Sequence, residues 1–217
     1  MESVDSLTML TARDQDLLET LALRVRVLSI EQVARHWWPD AADPVRLARR
    51  RLRTLESGDY VRKHTFLAHP ILEMPAPVFT WQPGQPPPNP DAISYGLTSR
   101  WTAPSRRVSV IAATQRTKGI VGGGIAQLSP LGHETHDLHV SEIFVRLRER
   151  QPELAERWRG EESFARARSG EKRPDAMLVD GAGQPELVIE FAGKYSADHV
   201  WSFHEDCEAR ELPYELW

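Results

Sequence analysis

The chain has 217 residues, 41% of them hydrophobic and 27% charged, with a formal net charge of -4. That length holds one medium domain or two small ones with a buried core. The absence of any apolar run of about eighteen residues, together with an N-terminus, MESVDSLTML, that lacks the pattern of a signal peptide, predicts a cytoplasmic protein with no membrane contact. The only cysteine, Cys207, excludes an internal disulfide framework and any multi-cysteine zinc site.

Charge is unevenly spread. PVRLARRRLRTLES carries Arg46, Arg49, Arg50, Arg51 and Arg53 against a single acid, whereas the last fifty residues are dominated by Asp and Glu, a segregation that suggests one polyanion-binding half and one half with another task. Thr11 is placed to cap a first helix over ARDQDLLETLALR, in which Leu17, Leu18, Leu21 and Ala22 recur at helical spacing. Ser29 followed by Gln32 forms a capping box that opens a second helix, IEQVARHWW, stopped by Pro39 and Asp40. Asp43 caps a third helix with Pro44 at its first position, and Gly58 is available for a left-handed exit. Within it Leu47, Leu52 and Leu55 form a core-facing stripe and the arginines fill most of the remaining surface.

DYVRKHTFLAH then reads as a strand, and PVFTWQ and AISYGLT as further strands separated by the loop PGQPPPNPDA. Three short helices followed by a hairpin is the order of a winged helix-turn-helix domain, here residues 1–100, whose third helix enters the major groove while the wing touches backbone. Double-stranded DNA is the expected partner, met by Arg46, Arg49, Arg50, Arg51 and Arg53 and, in the following strand, Arg62 and Lys63. Most of these contacts would be to phosphates and would make binding salt-dependent. The competing reading is that the arginine helix is simply a solvated face.

Residues 101–132 form a connection of uncertain structure, with RRVSVIAAT as a strand and TKGIVGGGIAQLSPLG as a loop; the triple glycine lacks the Lys-Ser or Lys-Thr of a phosphate-binding loop. HETHDLHVSEIFVRLRERQPELAERW is a helix broken by proline, then a second helical piece. His133, His136 and His139 are too widely spread around one helix to converge easily on a metal ion, which leaves the polar face of that helix, with Asp137 and Glu142, lying near a site. His199, His204 and Cys207 sit beside Trp201 and Phe203 in a segment that reads as an amphipathic helix rather than a ligand set.

AMLVD and ELVIEFAG are strand-like runs joined by GAGQP, an antiparallel hairpin in which pairing of Asp180 near Glu186 carries Asp175 opposite residue 190 or 191. Directly opposite carboxylates repel unless a cation lies between them. On the second strand Leu187, Ile189 and Phe191 share one face and Val188, Glu190, Ala192 and Lys194 the other. ELPYELW suggests a last strand on the same sheet.

RPDAMLVD with VIEFAGKY resembles the core of PD-(D/E)xK nucleases, in which two acids bind a divalent ion and a lysine two residues after the second acid assists the attacking water. Ala192 stands at that lysine's position and the nearest lysine is Lys194. Together with TARDQDLLETLALRVRVLSIEQVARHWW, LARRRLRTLESGDYVRK, YGLT and HDLHVSE, these segments are similar to the replication-relaxation family of bacterial and plasmid proteins. The resemblance implies an α/β (α+β) chain, a winged helix-turn-helix followed by a PD-(D/E)xK nuclease-like α/β domain over residues 133–217, and a role in plasmid replication, relaxation or regulation. It would make Asp175 and Glu190 the metal-binding acids, Lys194 a third catalytic group, Glu142 or Glu162 a helix acid, and Mg²⁺ or Mn²⁺ the cofactor. Three readings stay open: a DNA-binding protein with a degenerate nuclease-like domain, an active endonuclease or nickase, and a transcription regulator with a sensing or dimerising domain; besides DNA, a second copy of the chain, in a homodimer, is an expected partner.

Overall fold

A computed structural model describes residues 9–122, 128–163 and 173–217, apart from the side chain of Glu162. The chain is mixed α/β. Helix α1 (Ala12–Leu23) opens on Thr11, whose hydroxyl accepts the Asp14 N–H while the Asp14 carboxylate accepts the Thr11 N–H, so both orphan donors of the first turn are met locally. A two-residue strand β1 (Leu28–Ser29) leads into α2 (Ile30–Trp37) through the expected Ser29–Gln32 capping box. Asp43 caps α3 (Pro44–Ser57) through the Arg46 N–H at 3.0 Å. The left-handed exit falls on Asp59 (φ 55°) and not on Gly58 (φ −85°), a conformation Asp tolerates through its short polar side chain.

After α3 come β2 (Val61–Ala68), β3 (Phe79–Trp81), α4 (Pro90–Ser99) and β4 (Arg106–Ala113). β2 pairs along its whole length with β4, and β4 pairs with β1, which gives a three-stranded antiparallel sheet in the order β1-β4-β2. The expected hairpin therefore closes on a partner in the stretch read as connection. The AISYGLT segment is helix, not strand: the Asn89 side chain accepts the Ala92 N–H, Pro90 occupies the first helical position, and Ile93 and Leu97 bury one face at i, i+4 spacing. The start of the expected glycine loop is also helical, as α5 (Gln115–Val121) runs from the Thr114 cap to Gly122 at φ 76°. Gly123 and Gly124 lie outside the described residues.

The second half comprises α6 (Glu134–Arg150), α7 (Pro152–Glu156), β5 (Trp158–Gly160), β6 (Ala176–Val179), β7 (Pro185–Glu190), α8 (Ala197–Ala209) and β8 (Tyr214–Leu216). β5, β6 and β7 form an antiparallel meander, α8 carries the chain over to β8 in parallel with β7, and β3 completes a five-stranded sheet ordered β3-β8-β7-β6-β5. β3 and α4 come from the first hundred residues but belong to this second sheet, α4 packing beside α8.

Alternation along β6 and β7 divides the core. Ala176, Leu178, Ile189 and Phe191 join the cluster that includes Leu17, Leu21, Leu52, Leu55 and Phe144, whereas Met177, Val188 and Ala192 pack with Leu97, Val200 and Phe203. One hydrophobic cluster thus runs from the N-terminal helices into the second sheet. The junction is close at Gly160, where an added Cβ would meet the Arg24 carbonyl oxygen at 2.9 Å. Arg24 and Trp158 exchange hydrogen bonds there, guanidinium to carbonyl at 2.6 Å and indole N–H to carbonyl at 3.0 Å.

Candidate functional site

At about 100° per residue, Arg46, Arg49, Arg50 and Arg53 fall within about 100° of arc on α3, opposite the buried Ala48, Leu52 and Leu55. All four arginines are exposed. Arg46 pairs with its capping partner Asp43 at 3.2 Å, and the side chains of Arg49, Arg50 and Arg53 have no ion pair among the described residues. Arg51 lies off this arc and is corrected from the expected set. Its guanidinium grips the buried Asp14 at 2.8 and 2.6 Å and donates to the Met9 carbonyl, so it fastens α3 to α1. Burial would raise the Asp14 carboxyl, but hydrogen bonds from Arg51 and Thr11 outweigh it and hold Asp14 below its ordinary value.

On β2, Arg62 and Lys63 are exposed on opposite faces, which corrects Arg62 out of the expected set, its guanidinium lying 3.9 Å from Asp59; the Lys63 N–H binds the Glu56 carboxylate at 3.2 Å, tying the strand to α3. Register places Lys63 opposite Ile111, Thr65 opposite Ser109 and Leu67 opposite Arg107. Arg107 therefore shares the Lys63 face of the sheet and extends its positive charge. Nothing local in RRVSVIAAT marks Arg107 as a partner of Lys63, because the pairing spans the whole β3–α4 excursion.

The second cluster lies where β6 and β7 end. Extending the register Ala176 to Ile189 by one residue sets Asp175 directly opposite Glu190, as the sequence predicts. The Asp175 N–H donates to Glu190 Oε2 at 3.1 Å and the Phe191 N–H to Asp175 Oδ2 at 2.8 Å. Tyr195 donates its hydroxyl to Glu190 Oε1 at 2.5 Å, and His136 of α6 sits on Asp175, Nε2 to Oδ1 at 2.9 Å. Beyond it, Asp137 accepts from Ser129 at 2.9 Å and lies 3.5 Å from Arg26, which also reaches Glu161 at 2.7 Å.

These contacts set the protonation pattern. Burial, then the charge of Asp175, pushes the Glu190 carboxyl well above its ordinary value, and burial with the same carboxylates raises the Tyr195 hydroxyl. For His136 burial works in the other direction, but the charge of Asp175, 2.9 Å away, and the proximity of Asp137 at 3.8 Å prevail and raise it. His136 and Asp175 thus form an ion pair, beside a Glu190 carboxyl whose burial disfavours its charged form.

Lys194 does not join the acids. It is exposed and its ammonium lies over the Trp101 ring, 5.1 Å from the centroid. Glu142 also points elsewhere: fully buried, it accepts from Arg35 at 2.8 Å, Arg146 at 2.7 Å and Gln32 at 3.1 Å, which joins α6 to α2 and lowers its carboxyl against the effect of burial. The side chain of Glu162 lies outside the described residues. Of the histidine run, His133 precedes α6 as its cap residue and His139 turns inward, stacked on Phe191 at 4.5 Å with Nε2 accepting the Leu72 N–H. His199 lies against the Tyr195 ring, and His204 contacts Trp81 and Tyr214 in the α8 core.

The donor set does not fit a divalent ion in this arrangement. Three of the four carboxylate oxygens of Asp175 and Glu190 accept protein N–H or O–H donors, the fourth carries the His136 imidazolium, and no group of three His, Cys, Asp or Glu side chains is poised around one point among the described residues. No helix among the described residues is long and apolar enough to cross a membrane. No family model, curated protein or solved structure matches the chain.

Proposed function

We propose that this is a double-stranded DNA-binding protein in which α1, β1, α2, α3 and the β2–β4 pair form a winged helix-turn-helix, attached to a nuclease-like unit that does not cut. The observation that carries the reading is the arc of Arg49, Arg50 and Arg53, exposed opposite the core and without ion pairs among the described residues. The arc lies beside a strand pair that carries Lys63 on β2 and Arg107 on β4, which a helix charged only for solubility does not require. Guanidinia so placed suit phosphate oxygens, and Arg46 at the first turn extends the row.

The order α6, β5, β6, β7, α8, β8, with Asp175 and Glu190 paired at the sheet end, supports the PD-(D/E)xK-like reading of the second unit. His136 on Asp175, Ala192 in the lysine position and Lys194 parked on Trp101 support a degenerate site in which an imidazolium stands where a nuclease would hold a cation. A role in plasmid replication, relaxation or its regulation follows from the resemblance of the segments, and a homodimer is compatible with it.

Two measurements test this. Gel shift of a duplex across a salt series should give an affinity that falls steeply with log salt; binding that is absent or flat in salt rejects the DNA reading. Incubation with supercoiled plasmid and Mg²⁺ or Mn²⁺ should leave the plasmid intact, and nicking that disappears in Asp175→Ala would establish an active nuclease instead.

A further inference from the structure

A cleft of about 470 Å³ runs between α3 and the β2–β4 pair. Its floor is apolar, formed by the half-buried Val45 and by the few accessible atoms of Ile30, Leu52, Val61 and Ile111, each no more than 4% exposed. Its rim is cationic, with Arg46, Arg49, Arg53 and Lys63. The two acids at the edge are already engaged, Asp43 with the Arg46 N–H and guanidinium and Glu56 with the Lys63 N–H. Arg49 and Arg53 thus overhang the trough without an ion pair among the described residues.

DNA phosphates satisfy the rim but leave the floor unused, since a sugar-phosphate backbone has little to bury there. The volume is that of a drug-sized ligand site, where apolar walls supply affinity and a few charged groups fix orientation. We infer that the cleft between α3 and β2 binds a small amphiphilic carboxylate, its apolar body on Leu52, Val61 and Ile111 and its carboxylate between Arg49 and Arg53. Because those arginines belong to the arc assigned to DNA, such a ligand displaces DNA; this second consequence rests on the DNA-binding reading, whereas the ligand site itself does not.

The test uses the full chain with 1-naphthoate as probe and 1-naphthalenemethanol as its uncharged counterpart, followed by calorimetric titration, with a short labelled duplex measured in parallel. Naphthoate should bind one to one, and the alcohol roughly tenfold or more weakly, as should naphthoate to the Arg49→Ala/Arg53→Ala double variant. Val45→Glu places a carboxylate on the floor's edge in the first turn of α3, where a negative charge suits the helix; it should abolish naphthoate binding with an unchanged circular dichroism spectrum. Equal binding of acid and alcohol, or binding indifferent to both variants, overturns the site. If the duplex does not bind but naphthoate behaves as stated, the site stands and the DNA reading fails. Bound duplex that naphthoate at saturation does not displace overturns the shared use of Arg49 and Arg53.

Discussion

Arg49, Arg50 and Arg53 project from α3 without an ion pair among the described residues, whereas Asp175 and Glu190, which the sequence marks equally clearly, are met on every side by His136, Tyr195 and backbone N–H groups. By sequence both clusters are functional candidates. The acid pair has its charge met within the fold, whereas the arginine arc keeps its charge available to a partner. The same contrast separates neighbours on one helix: Arg50 faces solvent, and Arg51 is consumed by Asp14.

The largest expected effect breaks the compensated side. His136→Ala removes the imidazolium on Asp175 and leaves a carboxylate that is 10% exposed beside a second carboxyl; we expect a loss of about 3 kcal/mol in unfolding by denaturant. Glu190→Gln should be milder, since burial already favours the uncharged form of that carboxyl, with a residual cost because the amide has one acceptor oxygen for the two donors Tyr195 O–H and Asp175 N–H. Equal destabilisation by the two changes would mean that Glu190 is ionised and that the charge pattern assigned to the cluster is wrong.

On the uncompensated side, Arg49→Ala with Arg50→Ala should leave stability within about 0.5 kcal/mol, as expected of exposed surface. DNA affinity should instead fall by roughly ten- to a hundredfold, and the slope of log affinity against log salt should shrink by about 2, one for each phosphate that is no longer neutralised. Filter binding at several salt concentrations measures both. A slope that keeps its wild-type value removes the arc from the interface.

The sequence exposes much of this local architecture. Caps at Thr11, Ser29 and Asp43 fix the starts of the first three helices, and hairpin parity brings Asp175 opposite Glu190. Pairings distant in the chain are not legible. β2 finds β4 across an excursion containing a whole helix, and no local pattern encodes that partner. AISYGLT has the composition of a strand because Ile, Tyr and Thr favour strands, while Asn89 and Pro90, the capping pair that decides for helix, look like the end of a proline-rich loop. His136 as the counter-ion of Asp175 depends on how α6 lies against the sheet, which is a tertiary outcome.

A buried neutral histidine beside the acid cluster gives an effect that pH reveals. Burial lowers the His139 imidazole to about 4, from a position stacked on Phe191. Its folded value lies below the unfolded one near 6.5, so its contribution is present above about pH 6.5 and declines as pH falls towards 4, with a slope near 1.4 kcal/mol per pH unit in that window. His136, whose value is raised, behaves oppositely, contributing at acid and neutral pH and losing its contribution at alkaline pH. In His139→Gln, which retains a polar side chain near the Leu72 N–H, the stability difference from wild type should narrow between pH 6.5 and 4.5. A difference that stays constant there would show that His139 is not held neutral.

The smallest expected effect sharpens the contrast most, because it concerns a residue that the motif-bearing segments do not mark. Arg107 earns its place only through the register of β2 with β4, on the face that carries Lys63 and Thr65. A contact at the edge of a phosphate-binding surface adds about one unit to the salt slope and rather little to sequence choice. Arg107→Ala should therefore weaken binding uniformly across unrelated duplexes, by a few-fold at moderate salt, and should lower the slope by about 1. Arg106 serves as its control: adjacent in sequence, equally exposed and paired with Ala68, it points to the opposite face of the sheet. If Arg106→Ala and Arg107→Ala weaken DNA binding to the same degree, net charge and not the face presented by the sheet governs binding, and the wing has no defined orientation on the duplex. If only Arg107→Ala acts, DNA lies across the α3 and Lys63 face, and the paired acids at the far sheet stand outside that contact.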